Sequence, residues 1–269
     1  MNQSAIPSPE KLSEKEGIIM EMKEQLEQLS ARMDHLEHEN ARLDAVVQIQ
    51  NIMSLYSYYH ASNMHKACAE LFARHTPGVA VDIPHIGVYD SGYEGIIRCY
   101  EIAHESLTPT EESKKGMMML RPFTTPVIQV AADGKTAKGL WLSPGLTTGG
   151  NPQIGYQASW AWIKYGCDFV LEEDGWKIWH LRVYGIFMTP FEESWVTSSQ
   201  KVIPPEELEK KKKMMAEREK NRPAGAAPDR TNDDYDWTYG TDKIYPTDMP
   251  VPPTPYDTWD DSMTFMYQG

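Results

Sequence analysis

Two tyrosines and a histidine lie within one helical stretch of the sequence, and their side chains could perform acid–base chemistry. Tyr56, Tyr59 and His60 recur at helical spacing, so their side chains lie within about one turn of each other. A phenol can donate a proton and an imidazole can accept one near neutral pH. The alternative is an aromatic core with a histidine that has its own structural partner. We take the three residues as candidate catalytic groups.

A further candidate catalytic residue is Arg121, which begins a predicted strand with apolar neighbours. Its planar guanidinium could bind an anionic or phenolate oxygen through two parallel hydrogen bonds. The alternative is an ion pair at the surface. Asp82 and His85, on two short predicted strands, are candidates of lower rank.

The last predicted strand carries three polar residues in succession on one face. Because side chains alternate along a strand, His180, Arg182 and Tyr184 share a face, and Ile178 is expected to share it with them. Such a polar face predicts either the solvent-exposed mouth of a pocket or a polar interface between subunits. We take the three polar residues as candidate substrate-binding groups.

Tryptophans are concentrated in the predicted sheet. Trp141 and Trp160 belong by default to the core, but beside a pocket they would suit a flat aromatic or polycyclic ligand. They are therefore added to the candidate substrate-binding residues.

Composition excludes several classes of partner. The formal net charge of -13 disfavours binding to a nucleic-acid backbone. No segment resembles a signal peptide or reaches the length of a membrane span. The three widely spaced cysteines indicate reduced thiols, and no metal-binding, phosphate-binding or nucleophile-elbow motif occurs. We expect a cytoplasmic protein that needs no cofactor and no metal.

The elements that must position these residues form a helical first half and a stranded second half. Helical spacing continues from residue 46 through residue 63, and further helices are predicted over 64–73 and 93–107. From residue 124 to residue 187 the pattern predicts an antiparallel meander, with turns at 132–135 and 172–175 and a Gly-rich loop over 144–150.

Residues 17–47 carry an unbroken apolar stripe at 3-4 spacing, which predicts a coiled coil after a flexible segment over residues 1–16. Asn40 occupies an a position, which favours a two-stranded coil in one register, although trimers remain compatible with the other core residues. We expect a homo-dimer or homo-trimer. The alternative is an amphipathic helix that packs on its own domain.

The C-terminal residues 198–269 divide into a charged helix and an extended arm. The helix is predicted over residues 204–221, and its charges indicate a solvated face. Residues 223–269 are rich in Pro and Asp, yet they hold too many aromatic residues for a solvated tail. We expect this arm to lie across a folded surface.

The run Asp174-Gly175-Trp176-Lys177-Ile178-Trp179-His180 ends the meander, and it resembles the last strand pair of the SnoaL-like, or nuclear-transport-factor-2-like, superfamily. The resemblance covers residues 46–197 and includes ketosteroid isomerase, scytalone dehydratase and bile-acid dehydratase. It implies an α+β fold in which a curved antiparallel sheet wraps around helices into a cone, with a hydrophobic substrate at the mouth.

The resemblance also implies a role for one candidate residue. Tyr56 matches the catalytic tyrosine that related dehydratases carry on their first helix. The acidic residue that follows it there is Ala61 here, and the histidine before the Thr-Pro of the meander is replaced by the run from Arg121 to Thr124. The dehydratase set of catalytic residues is therefore incomplete.

Within the superfamily, the missing acid and the aromatic residues of the sheet favour a cofactor-independent lyase. The hypothesis is deformylation of a lignin-derived diaryl compound, as in bacterial diarylpropane lyases. One alternative is a dehydratase or isomerase of a steroid- or polyketide-like substrate. The other is a non-catalytic ligand-binding or scaffold protein.

Overall fold

The computed structural model confirms the predicted α+β class, in which helices pack against a curved sheet. It describes residues 9–84, 86–107, 110–151, 155–232, 238–244 and 250–267. The chain divides into two compact units, one that ends at Asp44 and one that begins at Ala45. Among the described residues, none of the helices combines the length and the apolar character that crossing a membrane requires.

Helix α1 (Pro9–Ala61) is longer than the predicted coil at both ends, and its first turns lie in the segment that we expected to be flexible. The coiled-coil stripe is exposed along its length, comprising Ile19, Met22, Leu26, Leu29, Met33, Leu36, Leu43 and Val47. Within the second unit the helix buries a different face at spacings of three and four, formed by Ala45, Ile49, Met53 and Tyr56.

The other helices of the second unit are short. Helix α2 spans His65–Ala69, and α3 spans Tyr93–Ile97. The chain then continues as a π-helix over Arg98–His104 and a 3-10 turn over Glu105–Leu107, where the sequence predicted one continuous helix. Helix α4 (Glu111–Lys114) is capped by Thr110.

Within the described residues, seven strands form one mixed sheet: β1 (Ala80–Ile83), β2 (Gly87–Tyr89), β3 (Met118–Leu120), β4 (Thr124–Val130), β5 (Thr136–Asn151), β6 (Gly155–Glu172) and β7 (Gly175–Pro190). Their order in the sheet is β2-β1-β7-β6-β5-β3, and β4 pairs with β5. Every pairing is antiparallel except that of β1 with β7, which is parallel.

The predicted Gly-rich loop over residues 144–150 is wrong, because these residues continue strand β5. They pair residue by residue with β6, from Pro144 opposite Trp162 to Gly150 opposite Tyr156. The ladder to an aromatic-rich partner strand outweighs the low strand propensity of glycine and proline. Arg121, which was expected to begin a strand, lies in the three-residue connection between β3 and β4.

A β-bulge corrects the face that was predicted for Ile178. Register shifts between Asp168 and Phe169 on β6, so that these residues pair with His180 and Ile178 respectively. Trp179 is therefore the extra residue on β7. Ile178 joins Leu181 in the core, whereas His180 faces the other side of the sheet.

Alternation along β5 and β6 gives the sheet two distinct faces. We call the face against α1 the inner face, since Trp141 there donates to Gln50 of the helix. Its aromatic residues include Tyr165 and Phe169, both buried in the core. The opposite face, the outer face, carries Lys138 and Asp168.

After helices α5 (Trp195–Ser199) and α6 (Pro205–Lys220) comes the C-terminal arm, whose described residues are 221–232, 238–244 and 250–267. Residues of these segments contact the sheet and the π-helix of their own chain. The phenol of Tyr89 donates to the Ala226 carbonyl at 2.8 Å, and Arg98 pairs with Asp229. Two aromatic residues of the predicted arm, Trp237 and Tyr245, lie outside the described residues.

Asp168 anchors the end of the arm on the outer face. Its buried carboxylate accepts hydrogen bonds from the Lys138 ammonium at 2.7 Å, from the Thr264 hydroxyl at 2.7 Å and from the Phe265 amide at 3.1 Å. His180 Nδ1 lies 3.0 Å from the same carboxylate. The Phe265 side chain is fully buried, and a Cβ at Gly166 would lie 2.7 Å from its ring.

The exposed stripe on α1 predicts that the first unit assembles copies of the chain. Leu29→Glu places a charge in the stripe, whereas Gln28→Glu adds the same charge beside it. We expect Leu29→Glu to lower the molar mass by light scattering to that of a smaller assembly, because a charged core position disfavours a coiled coil. Gln28→Glu should leave the mass unchanged. Equal masses for wild type and both variants would contradict assembly through α1.

The buried position of Phe265 predicts that the arm contributes to stability. Phe265→Ala should lower the free energy of unfolding by about 3–5 kcal/mol in urea denaturation, because the change leaves a cavity in a packed site. Phe191→Ala is the matched control, since Phe191 is exposed. The arm would not be docked in solution if both variants unfolded at the same urea concentration.

Candidate active site

The centre of the candidate site is a pair of buried tyrosines from two different helices. Tyr56 comes from the buried face of α1, and Tyr100 comes from the π-helix. Their hydroxyl oxygens lie 2.8 Å apart. Burial raises the pKa of both phenols well above their usual value, so both stay protonated. One hydroxyl therefore donates to the other, and one proton of the pair remains free for another acceptor.

Three histidines from three helical segments lie next to this pair. His60 follows Tyr56 by one turn, and their ring centroids are 5.6 Å apart. His104 stacks on the Tyr100 ring, with centroids 5.1 Å apart and planes inclined by 16°. His65 lies 6.2 Å from His60 and 5.5 Å from His104, centroid to centroid. We call His60, His65 and His104 the histidine cluster.

The environments of His60 and His65 favour neutral imidazoles. Burial lowers the pKa of His60 well below its usual value, and the neighbouring His104, His65 and Arg121 lower it further. Burial and Lys114 likewise lower the pKa of His65. A neutral imidazole has a lone pair that can accept a proton, which is the requirement for a general base.

The hydrogen bonds of the cluster are only partly formed within the described residues. The Nδ1–H group of His104 donates to the Cys99 carbonyl at 2.7 Å. Both ring nitrogens of His65 are buried and have no hydrogen-bond partner, and the nearest carboxylate, of the half-exposed Glu105, is 4.0 Å away. His65 therefore has bonding capacity that a bound molecule could satisfy.

Arg121 reaches the same region from the connection between β3 and β4. Its guanidinium donates to the Thr147 hydroxyl at 2.8 Å and to the Leu120 carbonyl at 3.1 Å. Its own carbonyl accepts from the Ser57 hydroxyl at 2.8 Å, which ties this connection to α1. Burial lowers the pKa of the guanidinium, and Tyr165 counteracts that effect.

An aromatic wall on the inner face surrounds the tyrosine pair. The ring of Phe123 lies 4.6 Å from that of Tyr165 and 6.1 Å from that of Trp141, centroid to centroid and edge-to-face. Tyr165 also meets Tyr56 edge-to-face at 6.3 Å. Such a wall suits the flat face of an aromatic molecule.

Four residues predicted from the sequence come together here. Tyr56, His60, Arg121 and Trp141 all lie on or against the inner face. Tyr59 is half-buried at the edge of the core.

Four residues of this region were not predicted from the sequence: His65, Tyr100, His104 and Tyr165. Tyr100 and His104 were detectable as two polar aromatic residues four positions apart in a predicted helix, on the side that also carries its apolar residues.

Four other predicted residues lie on the far side of the sheet. Trp160 packs against Phe187 and Trp195, with ring centroids 5.6 and 5.2 Å away. His180, Arg182 and Tyr184 contact the C-terminal arm, and the Tyr184 hydroxyl donates to the Phe265 carbonyl at 2.6 Å. The arm covers the polar face for which a pocket mouth or a subunit interface was predicted.

The candidates of lower rank also lie away from the tyrosine pair. Asp82 pairs with Arg182 at 3.1 Å and accepts from Asn232 at 2.8 Å. His85 lies outside the described residues. Across the part of the chain that the structure describes, no group of three His, Cys, Asp or Glu residues is arranged to hold a metal ion.

A cavity of about 200 Å³ lies beside the histidine cluster. His104 lines it together with Tyr89 and Ala103, and Arg222 and Ala226 of the C-terminal arm close its other side. The arm therefore borders the space next to the cluster.

Comparison with known proteins places the domain in a family. The model of the SnoaL-like domain family matches residues 41–182. No curated protein matches the chain in sequence.

Solved structures with a similar fold have low sequence identity to the chain. A hexachlorocyclohexane dehydrochlorinase from Novosphingobium barchaimii is 16% identical over 62% of this chain and 99% of its own, with a TM-score of 0.43. A type 2 form of that enzyme is 16% identical over 62% and 98%, with a TM-score of 0.44. An NTF2-like protein from Novosphingobium aromaticivorans is 14% identical over 66% and 97%, with a TM-score of 0.38.

Proposed function

The chain belongs to the SnoaL-like domain family, and we propose that it is a cofactor-independent lyase acting on a hydrophobic aromatic small molecule. Family membership supports an enzyme that converts small molecules. The observation that carries the finer proposal is the tyrosine pair beside a histidine of lowered pKa, enclosed by aromatic rings. This set contains both a proton donor and a proton acceptor.

The proposed roles follow from the protonation states. His60 is the general base, because its imidazole is neutral and can accept a proton. Tyr56 is the general acid, and Tyr100 supports it through the hydrogen bond between the two hydroxyls. Arg121 stabilises negative charge on the substrate, and Trp141 belongs to the wall against which the aromatic ring packs. Tyr59 stays a candidate at the edge of this site.

Deformylation of a lignin-derived diaryl compound fits these roles. His60 would take the proton of a primary hydroxyl, and the adjacent carbon–carbon bond would break to release formaldehyde. The electron pair of that bond would form a carbon–carbon double bond as a neighbouring hydroxyl leaves. The Tyr56–Tyr100 pair would supply the proton that turns this leaving group into water. No external oxidant or reductant is required.

Two alternatives follow from the same geometry. A dehydratase or isomerase of a steroid- or polyketide-like substrate would use the same acid and base without breaking a carbon–carbon bond. A non-catalytic binding or scaffold protein would use the aromatic wall alone. Liquid chromatography coupled to mass spectrometry distinguishes the three, since only the lyase releases formaldehyde, a dehydrated product has a lower mass, an isomer elutes at a different time, and only the binding protein returns its ligand unchanged.

Replacing the Tyr56 hydroxyl tests the proposed acid. We expect Tyr56→Phe to lower kcat for formaldehyde release from a phenolic diarylpropane by at least about 100-fold, because the variant loses the proton donor and keeps the ring. The matched control is Tyr58→Phe, whose parent side chain is 73% exposed on the same helix. Unfolding in urea is measured for both variants.

Three outcomes of this test have defined meanings. Loss of activity in Tyr56→Phe alone, with stability nearly kept, supports the acid. Retained activity with lowered stability would assign Tyr56 to the core and contradict the proposal. Absence of formaldehyde with wild-type protein, together with release of water, would favour the dehydratase.

A further inference from the structure

Arg121 carries a positive charge that the described part of the chain does not neutralise. Its two hydrogen-bond acceptors, the Leu120 carbonyl and the Thr147 hydroxyl, are both uncharged. No carboxylate of the described residues forms an ion pair with it. A half-buried guanidinium without a counter-ion is unfavourable, since burial removes water from the charge.

The surroundings of the tyrosine pair contrast with the rest of the chain. The protein carries 39 acidic residues against 26 lysines and arginines. Yet the groups that perturb the pKa values of Tyr56, His60 and Arg121 are tyrosines, cysteines, histidines and Arg121 itself. The nearest carboxylate to His65 among the described residues belongs to Glu105, which is half-exposed. The surroundings of the tyrosine pair are therefore electropositive or neutral, although the protein as a whole is acidic.

Buried polar groups without a hydrogen-bond partner occur on the inner face of β5 and on helix α2. Ser143 lies on β5 between Trp141 and Gly145, in the alternation that faces α1, and its hydroxyl is fully buried without a hydrogen-bond partner. The ring nitrogens of His65 are likewise buried and unpartnered. Buried polar groups are normally hydrogen-bonded, so the Ser143 hydroxyl and the one N–H group of a neutral His65 are donors that an oxygen acceptor of a bound molecule could satisfy.

Gly145 lets the guanidinium lie flat on strand β5. A Cβ at this position would stand 2.1 Å from Nη1 and 2.7 Å from Cζ of Arg121. Any larger residue would displace the guanidinium from the Thr147 hydroxyl. Gly145 and Thr147 therefore fix the orientation of the arginine.

We propose that Arg121 binds an anionic oxygen of the substrate, so that the substrate class is an aromatic compound bearing a carboxylate or a phenolate. The aromatic ring would lie against Trp141 and Phe123, with its acidic group on Arg121 and its reacting carbon towards Tyr56. The planar fork of arginine matches a carboxylate through two hydrogen bonds and a phenolate through one. The placement of the reacting carbon towards Tyr56 rests on the proposed function, whereas the binding of an anionic group to Arg121 does not.

Calorimetric binding of matched probes tests the inference. Naphthalene-2-carboxylate, its methyl ester and 2-naphthol share one ring system. The first carries a carboxylate, the second has no acidic group, and the third carries a phenol. We expect the full-length protein to bind one of the two acids at least about tenfold tighter than the ester, from a charge-assisted hydrogen bond. The acid that gains this preference identifies the carboxylate or the phenolate as the recognised group.

Three variants test whether Arg121 causes the preference for an acid over the ester. Arg121→Gln removes the charge and should abolish the preference while ester binding stays the same. Gly145→Ala keeps the charge but displaces the guanidinium, so it should also weaken the binding of the acid. Arg74→Gln is the control, because Arg74 is an exposed arginine of the same unit. It should bind all three probes as wild type does.

The outcomes separate this inference from the proposed function. Equal affinities of wild type for the acids and the ester, no binding of any probe, or a preference that persists in Arg121→Gln would each overturn it. Arg121-dependent binding of an acid, combined with full activity of Tyr56→Phe, would keep the anion site and refute the proposed acid. Each protein is checked for a folded state by its unfolding transition.

Discussion

Side chains alternate between the two faces of strands β5, β6 and β7, and both the candidate site and the docking of the arm depend on this alternation. Odd-numbered positions of β5 and β6, such as Trp141 and Tyr165, face the helices. Even-numbered positions such as Lys138 and Asp168 face the arm. A slip of one residue between the strands would exchange the two sets, so a single register holds the site and the arm in place together.

The two faces of the sheet differ in whether their buried charged and polar groups have partners. On the outer face, the Asp168 carboxylate is satisfied by Lys138, Thr264 and the Phe265 amide, which makes it a closed structural network. On the inner face, Arg121 has only neutral acceptors, and His65 has none among the described residues. A satisfied network stabilises the fold, whereas a buried polar group without a partner calls for one, such as a bound molecule. We therefore propose that the outer-face network is structural and that the chemistry takes place on the inner face.

The sequence predicted the elements well because period-2 and period-3.6 patterns are local properties of the chain. Tyr56, His60 and Arg121 were selected as candidates because their residue types are rare in an apolar context, and the structure brings them to one region. The outer position of His180 was not predictable, since the bulge at Trp179 and the arm from residue 264 onwards are long-range features. The spacing of Tyr100 and His104 was visible in the sequence, but their stacking was not, because the π-helix that stacks them follows from packing and not from local propensity.

The central claim is that His60 is a neutral imidazole held beside the tyrosine pair, and a pH titration of the histidine rings by NMR tests it most directly. The His60 signal is identified by its loss in His60→Gln. We predict a midpoint well below the ordinary pKa of 6.5, because burial, His104, His65 and Arg121 all disfavour the imidazolium. The ring would then stay neutral as the pH falls through 6.5 and would gain its proton only at lower pH. A midpoint at or above 6.5 would show that His60 is solvated or paired with an acid, and it would contradict the proposed base.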